Sequence, residues 1–240
     1  MYAEIENKRT RVKTAEDGTT AYDSINVLNL IDWRINMKRE QQRKLRELKK
    51  TLPKMLKEKV KAYKMKKKDY MIWYSKNDLF IECMVDVRET VDDRCCCSIQ
   101  VKIKPLWIDD LLWDCLGMEN NKAEPMSLRA IGAFTVSGVE VYSDYAYLKE
   151  WTREEMEKYV DLYLEKFNQI MNEVTIDDFY AHISDNTYHE ELRVSLTMAY
   201  NTRYQEAIEY LKDKGEGIFC NKGLWIHDGI KQYCKTMMNK

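Results

Sequence analysis

Apolar positions recur along this chain with two different periods, and the switch between them lays out its elements. Leu45, Leu48, Leu52, Met55, Leu56, Val60 and Tyr63 fall on one side of a 3.6-residue repeat, which predicts an amphipathic helix. Pro53 lies inside that repeat. A proline removes a backbone donor and clashes with the preceding turn, so a kink or a break is expected there. A shorter stripe, Ile25, Leu28 and Ile31, precedes it within residues 22–33, after a loose arm without periodicity. Past Tyr70 the period becomes two. Leu79, Ile81, Cys83, Val85 and Val87 alternate with Phe80, Glu82, Met84, Asp86 and Arg88, and Cys95, Cys97, Ile99, Val101 and Ile103 alternate with polar partners. Such alternation predicts antiparallel strands with one buried and one more polar face. Residues 75–78 and 90–93 read as their turns. Residues 128–136 and 139–142, on either side of Ser137-Gly138, read as a further hairpin.

Between the hairpins, residues 109–118 read as a short helix with Asp109 as its N-cap. After Glu150 the pattern is wholly helical. Thr152-x-x-Glu155 is a capping-box signature ahead of the stripe Met156, Val160, Tyr163 and Phe167. Further helices are expected at 175–184, 188–200, 203–214 and 224–238, with Ala199 to Leu211 reading as a helical hairpin. The predicted fold is α+β: an antiparallel sheet of about five strands, preceded by a basic amphipathic helix and followed by a C-terminal helical bundle. Its regions are an N-terminal arm with a short helix (1–35), the sheet region (36–148) and the helical region (149–240).

Charge sharpens this picture. Fifteen Lys or Arg and only three Glu lie between residues 36 and 68, whereas residues 69–240 carry nineteen basic against thirty-one acidic side chains. A net charge of −1 thus hides a polar arrangement that bears on partners rather than on fold. Composition adds bounds. With 45% apolar residues, sixteen Tyr, eight Gly and three Pro in 240 residues, the chain has the makings of a sizeable core. It has no apolar leader and no apolar run of the roughly 18 residues that cross a bilayer, so a cytoplasmic protein with no membrane partner is expected. Seven Cys, an odd number, read as reduced thiols. Cys95, Cys96 and Cys97 are consecutive, and side chains on a strand alternate between faces, so the three cannot converge on one metal. No metal and no cofactor are expected.

Three groups of residues carry candidate chemistry. Lys54, Lys57, Lys61 and Lys64 lie off the apolar stripe and offer a cationic face for an acidic protein surface, for a second copy of the chain, or for nucleic acid with Tyr63, Tyr70, Trp73 and Tyr74 as stacking groups. On the polar strand face, Glu82, Asp86, Gln100 and Lys102 resemble a degenerate restriction-endonuclease-like site, with Glu82 expected opposite Gln100. The resemblance implies Mg²⁺ on carboxylates and a lysine serving the attacking water or the phosphate. Trp107 and Trp113 flank Asp109, Asp110 and Asp114, and read as anchors of the short helix or as an interaction edge.

The order of elements also resembles small cytosolic bacterial α+β domains of unknown function, some of them near toxin and immunity loci. The likeness is carried by the basic helix, Lys67-Lys68-Asp69-Tyr70-Met71-Ile72-Trp73-Tyr74, the hairpin, Ile103-Lys104-Pro105-Leu106-Trp107 and the helical pair at 199–211. It implies a fold class and a bacterial cytosol, and transfers no functional residue. The expected function is a non-enzymatic protein-interaction module whose partner is acidic, such as a toxin or a second copy. A nucleic-acid-binding protein, with Mg²⁺-dependent cleavage as its sharper form, is the alternative.

Overall fold

A computed structural model describes residues 24–185 and 189–240, with side chains from residue 35 onward. The N-terminal arm and the burial of Ile25, Leu28 and Ile31 lie outside the described residues. The chain divides after Arg46 into two compact units. Helix α1 (Ser24–Lys59) is followed by a 3₁₀ turn (Val60–Tyr63) and strands β1 (Lys66–Lys68), β2 (Met71–Lys76), β3 (Leu79–Glu89) and β4 (Cys95–Pro105). Then come α2 (Leu106–Cys115), α3 (Ser127–Ile131), β5 (Val139–Leu148) and α4 (Arg153–Glu173). The chain ends with α5 (Ile176–Ala181), α6 (Glu190–Tyr200), α7 (Tyr204–Tyr210), the two-residue strands β6 (Cys220–Asn221) and β7 (Leu224–Trp225), and α8 (Ile226–Met238). The class is α+β, as its two periodicities predict.

The five strands form one antiparallel sheet in the order β1-β2-β3-β4-β5. In β3 and β4 the odd-numbered residues form the core face: Ile81, Cys83, Val85, Val87, Cys97, Val101 and Ile103 are fully buried. Helix α4 packs across β3, β4 and β5, and its Tyr163 hydroxyl donates to the Cys97 carbonyl at 3.1 Å. Asn77 and Asp78 both adopt positive φ, the left-handed pair that closes a two-residue hairpin between β2 and β3. Three consecutive lysines make up the edge strand β1, and charge there discourages pairing with another chain.

Several expectations need correction. Pro53 does not break the basic helix; α1 runs through it. The carbonyl left without a donor by a proline at position 53 belongs to Lys49, four residues earlier, and the Tyr70 hydroxyl donates to it at 3.3 Å. Residues 128–136 are not a strand. They form α3 and an irregular segment, and β4 pairs instead with β5, which extends to Leu148. Ser137-Gly138 is where the backbone passes close over β4: a Cβ on Gly138 would lie 2.5 Å from the Ile103 carbonyl oxygen. The fifth strand is β1, hidden in the sequence by its run of lysines.

Helix α2 starts three residues earlier than expected, with Pro105 as N-cap, so Asp109 is not a cap but a buried residue within the first turn and a half. Asp110 pairs with Arg129 at 2.6 Å and Asp114 with Lys122 at 2.5 Å. The expected cap of α4 is present on one side, Glu155 N–H donating to Thr152 Oγ1, while the Glu155 carboxylate reaches back to the amides of Lys149 and Glu150. Thr175 and Asp178 form a complete capping box at α5.

Helices α6, α7 and α8 pack on one another and α8 on α2. That last contact is close, since a Cβ on Gly229 would stand 2.2 Å from the Cys115 carbonyl oxygen. Gly229→Ala is therefore expected to force α8 away from α2 and to cost about 2 kcal/mol. Thermal unfolding checks this, and an undiminished Tm would refute it.

Candidate functional site

Loop length fixes which polar residues meet on the second face of the sheet. The β3–β4 loop spans residues 90–94, closed by Thr90 Oγ1 donating to the Arg94 carbonyl at 3.0 Å and by Asp93 at positive φ. The register therefore centres on residue 92, one residue beyond Val91. Glu82 faces Lys102 rather than the expected Gln100, which faces Met84, and Asp86 faces Ser98. A two-residue slip keeps every side chain on its own face, so Glu82, Asp86, Gln100 and Lys102 do share one side.

That side is half covered. Arg129 to Ser137 runs over its Phe80–Lys104 end, and the open end exposes Met84. Lys104 explains the cover: its ammonium, 1% exposed, pairs with Asp109 at 2.8 Å and donates to the carbonyls of Arg129 (2.9 Å) and Val136 (2.8 Å). Asp109 Oδ1 accepts the Val136 N–H at 2.8 Å, and Trp113 Nε1 donates to the Phe134 carbonyl at 2.7 Å. Arg129 closes the network through Asp110 and the Leu106 carbonyl.

Between this cover and the sheet lies a cavity of about 410 Å³. Glu82, Gln100, Lys102 and Met84 form its floor. Ser137, His189 and Phe219 line its wall. Lys102 Nζ donates to Ser137 Oγ at 3.2 Å, and Gln100 is held by Glu140, which also accepts from Ser143 Oγ. Glu82 is 8% exposed, and among the described residues no hydrogen bond or ion pair reaches its carboxyl. Burial pushes its pKa up, opposed by the fields of Lys104 and Lys102 and helped by Asp109. The Ser137 N–H donates to His189 Nδ1 at 2.7 Å, which fixes the neutral imidazole with its proton on Nε2.

Glu82 and Asp86 are four residues apart on one strand, about 13 Å along it, too far for their carboxylates to clasp one cation. Among the described residues no three His, Cys, Asp or Glu are placed to hold a metal.

The cationic row is a separate feature. Lys54, Lys57, Lys61 and Lys64 are all exposed and, among the described residues, none forms an ion pair. Lys59, on the inner flank, pairs with Glu157 at 2.9 Å and Asp161 at 2.7 Å of α4. Of the aromatic residues beside the row, only Tyr70 is exposed. Trp73 is 7% exposed on the pocket side of the sheet, Tyr63 and Tyr74 are half-buried, and the Tyr70 hydroxyl is engaged by α1. Trp113 is buried beneath Arg129, while Trp107 stacks on Tyr200 with ring centroids 4.0 Å apart.

Ser137 was read only as part of a turn, and His189 and Phe219 were not singled out as site residues, because they come from loops remote in sequence from the sheet strands. Compared with known proteins, the chain matches no protein family, no curated protein and no solved structure. No helix among the described residues is long and apolar enough to cross a membrane.

Proposed function

We propose that this chain is a non-enzymatic interaction module whose lysine row docks on an acidic surface of another protein. The observation that carries this reading is the contrast along the end of α1 and the 3₁₀ turn that follows it: Lys59 is neutralised by α4, whereas Lys54, Lys57, Lys61 and Lys64 are exposed without a partner among the described residues. A row of unneutralised cations raises encounter rates with an oppositely charged surface and selects against basic ones. Nucleic acid is the weaker reading, because Trp73 is buried and Tyr63 and Tyr74 are half-buried, which leaves Tyr70 as the one exposed ring of the four.

The test titrates the protein into a labelled glutamate-rich peptide and into labelled duplex and single-stranded DNA, at low and near-physiological salt. The wild-type chain is expected to bind the acidic peptide in a salt-dependent manner. Reversing Lys54, Lys57, Lys61 and Lys64 to Glu is expected to weaken that binding at least tenfold while leaving the Tm unchanged. Tighter binding to DNA than to the peptide, or an unchanged peptide affinity in the reversed chain, would overturn the reading. So would concentration-dependent self-association that the reversal abolishes, since the row would then serve the chain's own acidic half.

A further inference from the structure

The cavity on the polar face of the sheet has the features of a built binding site, and the geometry points to a small zwitterion of the α-amino-acid class as its occupant. Its volume, about 410 Å³, falls at the small end of the range for small-molecule sites. Most of the charges around it are already satisfied. Lys104 and Arg129 are taken up by Asp109, Asp110 and backbone carbonyls, and Glu140 is held by Gln100 and Ser143. Glu82 and Lys102 remain.

These two are cross-strand partners, so their Cβ atoms are about 5 Å apart, within easy reach of an ion pair. They do not form one. Lys102 turns instead to Ser137, and the Glu82 carboxyl sits more than nine-tenths buried with no donor among the described residues. A buried carboxyl in that position is costly unless a donor reaches it. An ammonium group arriving in the cavity supplies that donor. A carboxylate on the same molecule meets Lys102, whose ammonium has two further donors beyond the one given to Ser137. The remainder of the lining, from Phe219, Met71, Met84 and Ala133, is apolar and suits a side chain. His189 stands in the wall as a neutral ring and adds no charge. A polyanion fits poorly here, because it would face Glu82, and a simple amine would leave Lys102 unanswered.

The experiment screens the full-length chain by thermal shift against each of the twenty free amino acids at millimolar concentration. Hits are followed by calorimetric titration, with the N-acetylated and the decarboxylated form of each hit as controls. At least one amino acid is expected to raise the Tm by several degrees, and both controls are expected to bind at least tenfold more weakly. Glu82→Gln keeps the side chain's shape and removes its charge, and Lys102→Met keeps its length. Each is expected to retain the ligand-free Tm within a few degrees and to weaken binding at least tenfold. The proposal is overturned if no amino acid shifts the Tm, if either control binds as well as the parent, or if both variants bind like the wild type. The lysine row plays no part in this test, so the outcome is independent of the docking proposal above.

Discussion

Asp109→Ala is expected to destabilise the protein by about 3–5 kcal/mol, the typical cost of removing one partner of a buried ion pair. The carboxylate is fully buried and its Lys104 partner is 1% exposed, with Nζ and Oδ2 2.8 Å apart. Its loss leaves an uncompensated ammonium in the interior and removes the acceptor of the Val136 N–H. The double variant Lys104→Met with Asp109→Leu is expected to recover only part of this. Both charges' desolvation costs then vanish, but the Val136 N–H loses its acceptor and the carbonyls of Arg129 and Val136 lose their Lys104 donor. Urea unfolding with matched m-values measures both. A loss below about 1 kcal/mol in the single variant would show that the pair does not hold the cover of the cavity as described. Lys104 grips both ends of that cover, the carbonyls of Arg129 and Val136, so the single variant is also expected to loosen the pocket wall.

His189 sets the second large effect. Burial, followed by the nearby charges of Arg193, Lys104 and Lys102, pushes its imidazole down to about 4 from an ordinary 6.5. Above pH 6.5 the ring is neutral in both folded and unfolded chains and contributes nothing to the pH dependence. As pH falls from about 6.5 to about 4, the unfolded chain takes up the proton first, and stability drops by at most about 3 kcal/mol. Glu82 works in the opposite direction, because its raised pKa lets the folded state take up its proton first as pH falls. The effect of His189 is therefore read as the difference between the wild type and His189→Gln, whose side-chain oxygen can still accept the Ser137 N–H. The difference is expected to shrink steadily between pH 6.5 and 4 as the wild type loses its advantage. A pH-independent difference would mean that the ring does not titrate as its surroundings dictate.

The fold was legible wherever one side chain period dominated. The alternation in β3 and β4 set two long strands within a residue or two, and the stripe from Leu48 to Val60 set the buried face of α1, whereas the short helix expected at 22–33 and the basic helix are one continuous element, Ser24–Lys59. What escaped was decided by contacts distant in sequence. Arg129 to Val136 has the composition of a strand, yet its carbonyls answer Lys104 and not a neighbouring strand. Asp109 has the composition of a cap and was taken inward by the same lysine. The polar face of the sheet could be read from alternation: Glu82, Asp86, Gln100 and Lys102 do share it, although Asp86 lies outside the cavity. Their partners could not be read, since moving the centre of the 90–94 loop by one residue moves the register by two, and His189 and Phe219 of the wall are brought in by topology alone.

The hydroxyl of Tyr70 at the Lys49 carbonyl bears on the order in which the chain assembles. A proline in the middle of a helix leaves that turn one donor short, and here the donor is 21 residues away, beyond the lysine edge strand. The protein donor for that carbonyl arrives only with the β1–β2 hairpin, so the second half of α1 and the margin of the sheet are expected to gain from forming together.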